Sequence, residues 1–262
     1  MHIKDRTFII TGGSSGLGRA TCEDLYAQGG YIAILDMNAE LGEQAIKDLG
    51  SNATFYECDV TDTDSVETAV KAAAEWAQKK GKPIGGIIAS AGVGIPAKML
   101  DRHLEPVSMS AIDTVLNINL RGTLDFVRQC LPYMAKNEPT KPDGERGVVI
   151  LVSSSAAYDG QPGQVAYSAS KGAIRSLTLP MARDLAQYGI RVMSIAPSLF
   201  ESPMTAALPE KARKSLERVM EFPKRGGQPP EFASLVRQII QNSMLNGETI
   251  RLDGAMRMPS KM

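Results

Sequence analysis

The chain of 262 residues carries 29 Lys and Arg against 29 Asp and Glu, a formal net charge of zero. That balance argues against a basic nucleic-acid-binding face or a polybasic membrane-surface segment, and no apolar run reaches the ~18 residues needed to cross a bilayer. Three widely spaced cysteines outside any CxxC pattern (Cys22, Cys58, Cys130) read as reduced structural thiols, and two histidines, His2 and His103, are too few for a His-based metal site, so no metal is expected.

The first residues, MHIKDRTFIITGG, enter a strand-like run at once and leave no room for a signal peptide, so a soluble intracellular protein is expected. Strands are read at 7–11, 31–36, 53–58, 86–90, 147–153, 191–196 and 248–252. Runs such as TFIIT, YIAIL and GVVILV are apolar at successive positions, the pattern of parallel strands covered on both faces. Helices are read between them at 17–28, 39–49, 63–80, 109–136, 165–187, 204–221 and 230–241, with Asn38, Asp62 and Ser110 as N-caps. Pro180 is expected to kink the fifth of these, and NEPTKPDGERG (137–147) to form a surface loop. No linker or repeat divides the chain. The expectation is one α/β domain over 1–262, a Rossmann-like doubly wound sheet of seven parallel strands with helices on both faces.

The first strand ends in TGGSSGLG, and Gly12, Gly16 and Gly18 precede a helix. Glycines there allow positive φ and close backbone approach, while the helix N-terminus offers free N–H groups to a pyrophosphate. Asp36 closes the second strand, 18 residues after Gly18. A carboxylate at that point accepts the adenine-ribose hydroxyls and repels a 2′-phosphate, so NAD(H) is expected over NADP(H). Gly12-x-Ser14-x-Gly16 also fits a hydrolase nucleophile elbow, but the chain offers only His103 as a base and no triad order.

A second constellation lies at 154–171. Lys171 follows Tyr167 by four residues, one helical turn on the same face. A nearby ammonium favours the phenolate of a tyrosine whose free pKa is about 10, which makes the pair a candidate general acid/base. Ser154 stands thirteen residues before the tyrosine.

Gly12, Gly16, Gly18 and Asp36, with Ser154 and Tyr167-x-x-x-Lys171, resemble the short-chain dehydrogenase/reductase family, and the resemblance covers nearly the whole chain. It implies that Tyr167 is the general acid/base, that Ser154 hydrogen-bonds the substrate oxygen, that Lys171 lowers the tyrosine pKa and holds the nicotinamide ribose, and that Asn119 anchors a water of a proton relay. It further implies cofactor contacts from Gly12, Ser14, Ser15, Gly16, Leu17, Gly18, Asp36 and Met37 in the first half of the site. Asp59, Val60, Ala91, Gly92, Pro197, Leu199 and Phe200 complete that set, together with Tyr167 and Lys171. Two positions depart from the family pattern. Ala89 and Ser90 replace two asparagines before Ala91-Gly92, and Ser198 replaces the glycine after Pro197.

Strings such as GQPGQVAYSASKGAI, GIRVMSIAPSLF and LNGETIRLDGAMRM are similar to the branch of the family that oxidises 3-hydroxyacyl-CoA to 3-oxoacyl-CoA. That likeness implies an acyl-CoA substrate; a hydroxysteroid or another small secondary alcohol is the alternative, and a non-catalytic NAD-binding protein the remote one. Substrate contacts are expected from Ser154, Gln164, Tyr167, Phe200, Met204 and Leu208. Leu199, Met220 and Phe222 read either as part of an apolar lid or as ordinary helix packing, and Lys98, Arg102 and His103 either as partners of the CoA phosphates or as a solvated loop. The family likeness also implies a homotetramer built through helices 109–136 and 165–187. The tail Ser260-Lys261-Met262 differs from a peroxisomal Ser-Lys-Leu signal only in its last apolar residue, so the cytoplasm or the peroxisomal matrix is expected before the mitochondrion.

Overall fold

The structure, a computed structural model, describes residues 1–206 and 210–258. Seven strands form one sheet: β1 (Thr7–Thr11), β2 (Tyr31–Asp36), β3 (Ala53–Glu57), β4 (Ile84–Ala89), β5 (Gly147–Val152), β6 (Ile190–Pro197) and β7 (Thr249–Leu252). Their order is β3-β2-β1-β4-β5-β6-β7, and every pairing is parallel. The strand order therefore reverses between β1 and β4, where this architecture opens a crevice at the carboxyl ends of its strands. β1, β4 and β6 are buried along their whole length, as their predominantly apolar runs imply.

Helices α1 (Gly16–Ala27), α2 (Ala39–Leu49), α3 (Thr63–Lys80), α4 (Met109–Leu116), α5 (Thr123–Met134), α6 (Val165–Leu185), α7 (Pro203–Ala206), α8 (Glu210–Arg218) and α9 (Pro229–Gln241) complete the described elements. They cover two cores. On one side of the sheet Phe126, Cys130 and Met134 of α5 meet Val66 and Val70 of α3 and Ile174 of α6. On the other, Leu25 of α1 meets Phe232, Val236 and Ile240 of α9.

Asn38 and Asp62 cap α2 and α3 as the sequence suggests, each side chain accepting a backbone N–H. The cap of α4 is Ser108, not Ser110; its hydroxyl accepts from the Ala111 N–H. The single helix expected over 109–136 is interrupted by a π turn, Asn117–Gly122, before α5 resumes. Helix α6 runs on through Pro180 to Leu185, and Pro132 likewise lies within α5. The helix expected over 204–221 is seen as α7 and α8 on either side of 207–209, with its last turn ending at Arg218.

The loop over 137–147 is pinned more firmly than its polar composition suggests. The Asn137 amide donates to the Ile84 and Arg146 carbonyls, and Glu145 is buried against the equally buried Arg191 at 2.8 Å. Arg191 also donates to the Ile239, Ile240 and Leu245 carbonyls, so this buried pair is fully hydrogen-bonded.

Candidate active site

A cleft of about 340 Å³ opens at the carboxyl ends of β1, β2, β4, β5 and β6. Its floor is the glycine loop. Gly12 and Gly16 have φ of 66° and 53°, a conformation that side chains resist. A Cβ at Gly12 would lie 2.9 Å from the Ala91 backbone, and one at Gly18 would collide with the Gly12 carbonyl. These glycines let the turn fold onto β4 and let α1 start directly behind it. The cap residue Ser15 gives α1 no side-chain hydrogen bond, so the N–H groups of its first turn face the cleft uncapped.

Asp36 forms the rim at the end of β2. One carboxylate oxygen accepts from the Ser14 N–H and the other from the Asn38 N–H, both at 3.1 Å. The acid thus holds the glycine loop and the start of α2 together while lining the cleft beside Met37. Ser14 itself does not line the wall; its hydroxyl is buried and finds no partner among the described residues.

At the other end, Ser154, Tyr167 and Lys171 line the same cleft. Ser154 follows β5 and begins a short 3₁₀ turn, its hydroxyl accepting from the Ala156 N–H at 3.1 Å. Tyr167 and Lys171 stand one turn apart on α6, with the Lys171 Nζ 5.9 Å from the tyrosine ring centre. Lys171 is 5% exposed and donates to the Val152 carbonyl at 2.9 Å. The Ser153 hydroxyl donates to the Lys171 carbonyl at 2.8 Å, fastening the helix to β5.

Burial governs the ionisation of both groups. It pushes the Lys171 ammonium down to about 8. It pushes the Tyr167 phenol above its usual 10, against the opposing pull of the Ser154 hydroxyl. The ring and the ammonium are close, but loss of hydration, not the lysine, governs this phenol. Cys58 also lines the cleft, its thiol pushed up to about 12 by burial, so it is an inert wall.

Asn119 is completely buried in the π turn and lies behind Gly92 rather than on the cleft wall. Its Oδ1 accepts from the Val93 N–H at 2.8 Å, and its Nδ2 donates to the Val93 carbonyl at 2.9 Å and to the Ser170 hydroxyl at 3.1 Å. The amide therefore has no free hydrogen and can meet a water only as an acceptor, through the second lone pair of its Oδ1 or through its main-chain carbonyl, which already accepts from the Thr123 hydroxyl at 2.9 Å.

The cleft also gathers Ser15, Leu17, Val60, Ala91, Pro197 and Phe200. Asp59 stays off the wall because its carboxylate accepts the Thr61 N–H and hydroxyl, both at 2.8 Å, within its own turn. Leu199 is buried beneath the surface, and Gln164 turns its Oε1 to the Gln161 N–H at 2.9 Å. The side chain of Met204 and the whole of Leu208 lie outside the described residues, as does the tail 259–262. Met220 is buried and Phe222 exposed, so these two do not share one lid face.

Sequence reasoning missed Val93, Ile118, Val152 and Ser202 on the wall, and marked Ser198 only as a departure from the family pattern. Val152 is brought there by the end of β5, Val93 by the segment after β4, Ile118 by the π turn and Ser202 by the start of α7, with no motif to announce them. Ser198, where the family carries glycine, donates its N–H to the Leu252 carbonyl at 3.2 Å and its hydroxyl to the Met220 sulfur at 3.7 Å, binding the end of β6 to β7 and to the segment after α8.

The site fits a dinucleotide. The cradle is closed to any Cβ at Gly12 and Gly18, the first turn of α1 leaves its N–H groups without a side-chain cap, and the Asp36 carboxylate stands at the rim. Among the described residues, no group of three His, Cys, Asp or Glu is placed to hold a metal.

Residues 6–213 match the family described as short chain dehydrogenase, and the chain belongs to that family of oxidoreductases. Over 259 residues it is 45% identical to the 3-hydroxyacyl-CoA dehydrogenase type-2 of Homo sapiens, covering 98% of this chain and 97% of that one. The crystal structure of 3-hydroxyacyl-CoA dehydrogenase type-2 from Mycobacterium avium superposes with a TM-score of 0.91 at 35% identity, over 100% of both chains. A 3-ketoacyl-(acyl-carrier-protein) reductase from Brucella melitensis, solved in complex with NADH, has a TM-score of 0.84 at 25% identity, covering 98% of this chain and 100% of its own.

Proposed function

We propose that the chain is an NAD(H)-dependent dehydrogenase that interconverts a 3-hydroxyacyl-CoA and its 3-oxoacyl-CoA. The observation that carries this reading is the shared cleft: the glycine cradle and Asp36 at one end, Ser154, Tyr167 and Lys171 at the other. Bound there, NAD(H) would accept or donate the hydride. Similarity to dehydrogenases of 3-hydroxyacyl-CoA supports the substrate class.

In the reducing direction the Tyr167 hydroxyl donates a proton to the substrate oxygen as the carbonyl carbon is reduced, and in oxidation the phenolate takes it back. Ser154 donates a hydrogen bond to the same oxygen and steadies its developing charge. Lys171, mostly protonated at pH 7 with a pKa of about 8, favours the transient phenolate and carries the proton onward. The exposed Leu124 on α5 and Leu179 on α6 support assembly into a homotetramer across those helices, and a monomeric mass by light scattering would remove that part of the reading.

Tyr167→Phe tests the chemistry. Turnover falls at least 10³-fold while the dissociation constant of NADH, read by fluorescence, stays within about threefold. Retained turnover would overturn the assignment of Tyr167, and tight NADH binding by a wild-type protein inert towards every ketone would leave a cofactor-binding protein without catalysis.

A further inference from the structure

A loop turn and a helical turn meet beside the cleft. The first, Asp59–Val60–Thr61, leads from β3 to α3 and gives Val60 to the cleft wall. The second is the π turn Asn117–Gly122, which gives Ile118 to the wall and carries Asn119 behind it. Arg121 joins them. Its guanidinium donates to the Thr61 carbonyl at 3.1 Å and to the Thr63 hydroxyl at 2.9 Å. Directly beneath, Gly122 lets the two backbones approach so closely that a Cβ there would lie 2.6 Å from the Val60 carbonyl.

A π turn is a sparsely used backbone state with poorer hydrogen bonding than an α-helix, so an external clamp bears directly on its position. The first turn is braced internally by Asp59. The second is braced through Asn119 to Val93 and to Ser170 of α6. Beside the direct packing of Val60 on Gly122, a path from the first turn to the helix that carries Tyr167 and Lys171 runs through Arg121, Asn119 and Ser170, and Arg121 makes the side-chain hydrogen bonds between the two turns among the described residues.

We propose that Arg121 is a positioning residue that couples filling of the adenine end of the cleft to ordering of the π turn holding Asn119. The proposal rests on the dinucleotide reading of the cleft. Coupling of this kind is reciprocal: if the adenine half steadies the π turn through Arg121, then cutting the link weakens binding of that half.

The test uses ADP-ribose, which lacks the nicotinamide, and hydrogen exchange of the amides over 117–123. In the wild type, saturating ADP-ribose slows their exchange about tenfold. In Arg121→Met, whose π turn exchanges faster than that of the wild type without ligand, saturating ADP-ribose slows the exchange less than threefold, while the melting temperature stays near the wild-type value and the ADP-ribose dissociation constant rises about 5- to 10-fold. Thr63→Val, which removes one of the two acceptors, gives an intermediate effect and guards against a folding defect particular to the arginine variant. Equal ligand-induced protection in wild type and Arg121→Met would overturn the proposal while leaving the cofactor reading intact. Failure of the wild type to bind ADP-ribose would overturn both.

Discussion

Replacing Lys171 with Met separates what the cleft costs the fold from what it does for chemistry. An ordinary lysine titrates at 10.5, and in this cleft burial lowers it to about 8. The difference corresponds to about 3 kcal/mol by which the folded state disfavours the ammonium. The sign follows from proton counting. Between pH 8 and 10.5 the unfolded chain binds more protons at this residue than the folded chain, so wild-type stability rises with pH across that window, while below pH 8 the full penalty is present. Methionine keeps the length of the side chain and does not titrate. Between pH 7 and 9.5 the ligand-free wild type should therefore gain about 2 kcal/mol relative to Lys171→Met, read from urea unfolding at closely spaced pH values. At the same time turnover of the variant should fall by about 10²- to 10⁴-fold. Stability curves that stay parallel over this range, or that converge in the opposite sense, would refute the claim that Lys171 is a buried ammonium held at the expense of the fold.

Other substitutions read other parts of the cleft. Asp36→Ala removes the acceptor at the ribose rim and frees the Ser14 N–H, so kcat/KM for NADH should fall about tenfold or more while that for NADPH falls less or rises; a wild type that prefers NADPH would contradict the role of this acid. Gly122→Ala forces a methyl against the Val60 carbonyl, displacing the turn that gives Val60 to the cleft, and should raise the KM for NADH several-fold and destabilise the fold by about 1–3 kcal/mol, read as a lowered melting temperature. Ser154→Ala leaves Tyr167 and the cradle in place but removes the second donor to the substrate oxygen, for an expected loss of about 10²- to 10³-fold in kcat with NADH affinity preserved, measured by steady-state kinetics beside fluorescence titration.

The parallel sheet was legible because its strands are buried on both faces and therefore written as unbroken apolar runs, with β1 and β2 delimited residue for residue. The glycine loop was legible because positive φ and backbone contact exclude side chains, a constraint that leaves a visible mark in the sequence. The π turn left no such mark. NINLRG is poor in strong helix formers, with two asparagines and a glycine, but nothing in it distinguishes a π turn from a frayed α-helix, and its contacts to Thr61, Val60 and Val93 are tertiary. Asp59 and Asn119 show the same limit at the level of roles. The family resemblance made both candidates for contact with bound molecules, yet the structure spends their side chains on the protein's own backbone. Val93, Ile118 and Val152 went unmarked for the opposite reason, since an apolar residue at a strand end reads equally well as core or as cleft wall.

The most direct test of the account is NADH oxidation at 340 nm with acetoacetyl-CoA, run beside free acetoacetate and a ketosteroid, with Tyr167→Phe as control. The account predicts efficient turnover of the CoA ester by the wild type, weak turnover of the other two ketones, and none above background in the variant. No turnover of acetoacetyl-CoA by a protein that still binds NADH would contradict the assignment to 3-hydroxyacyl-CoA chemistry, and undiminished turnover by Tyr167→Phe would contradict the mechanism.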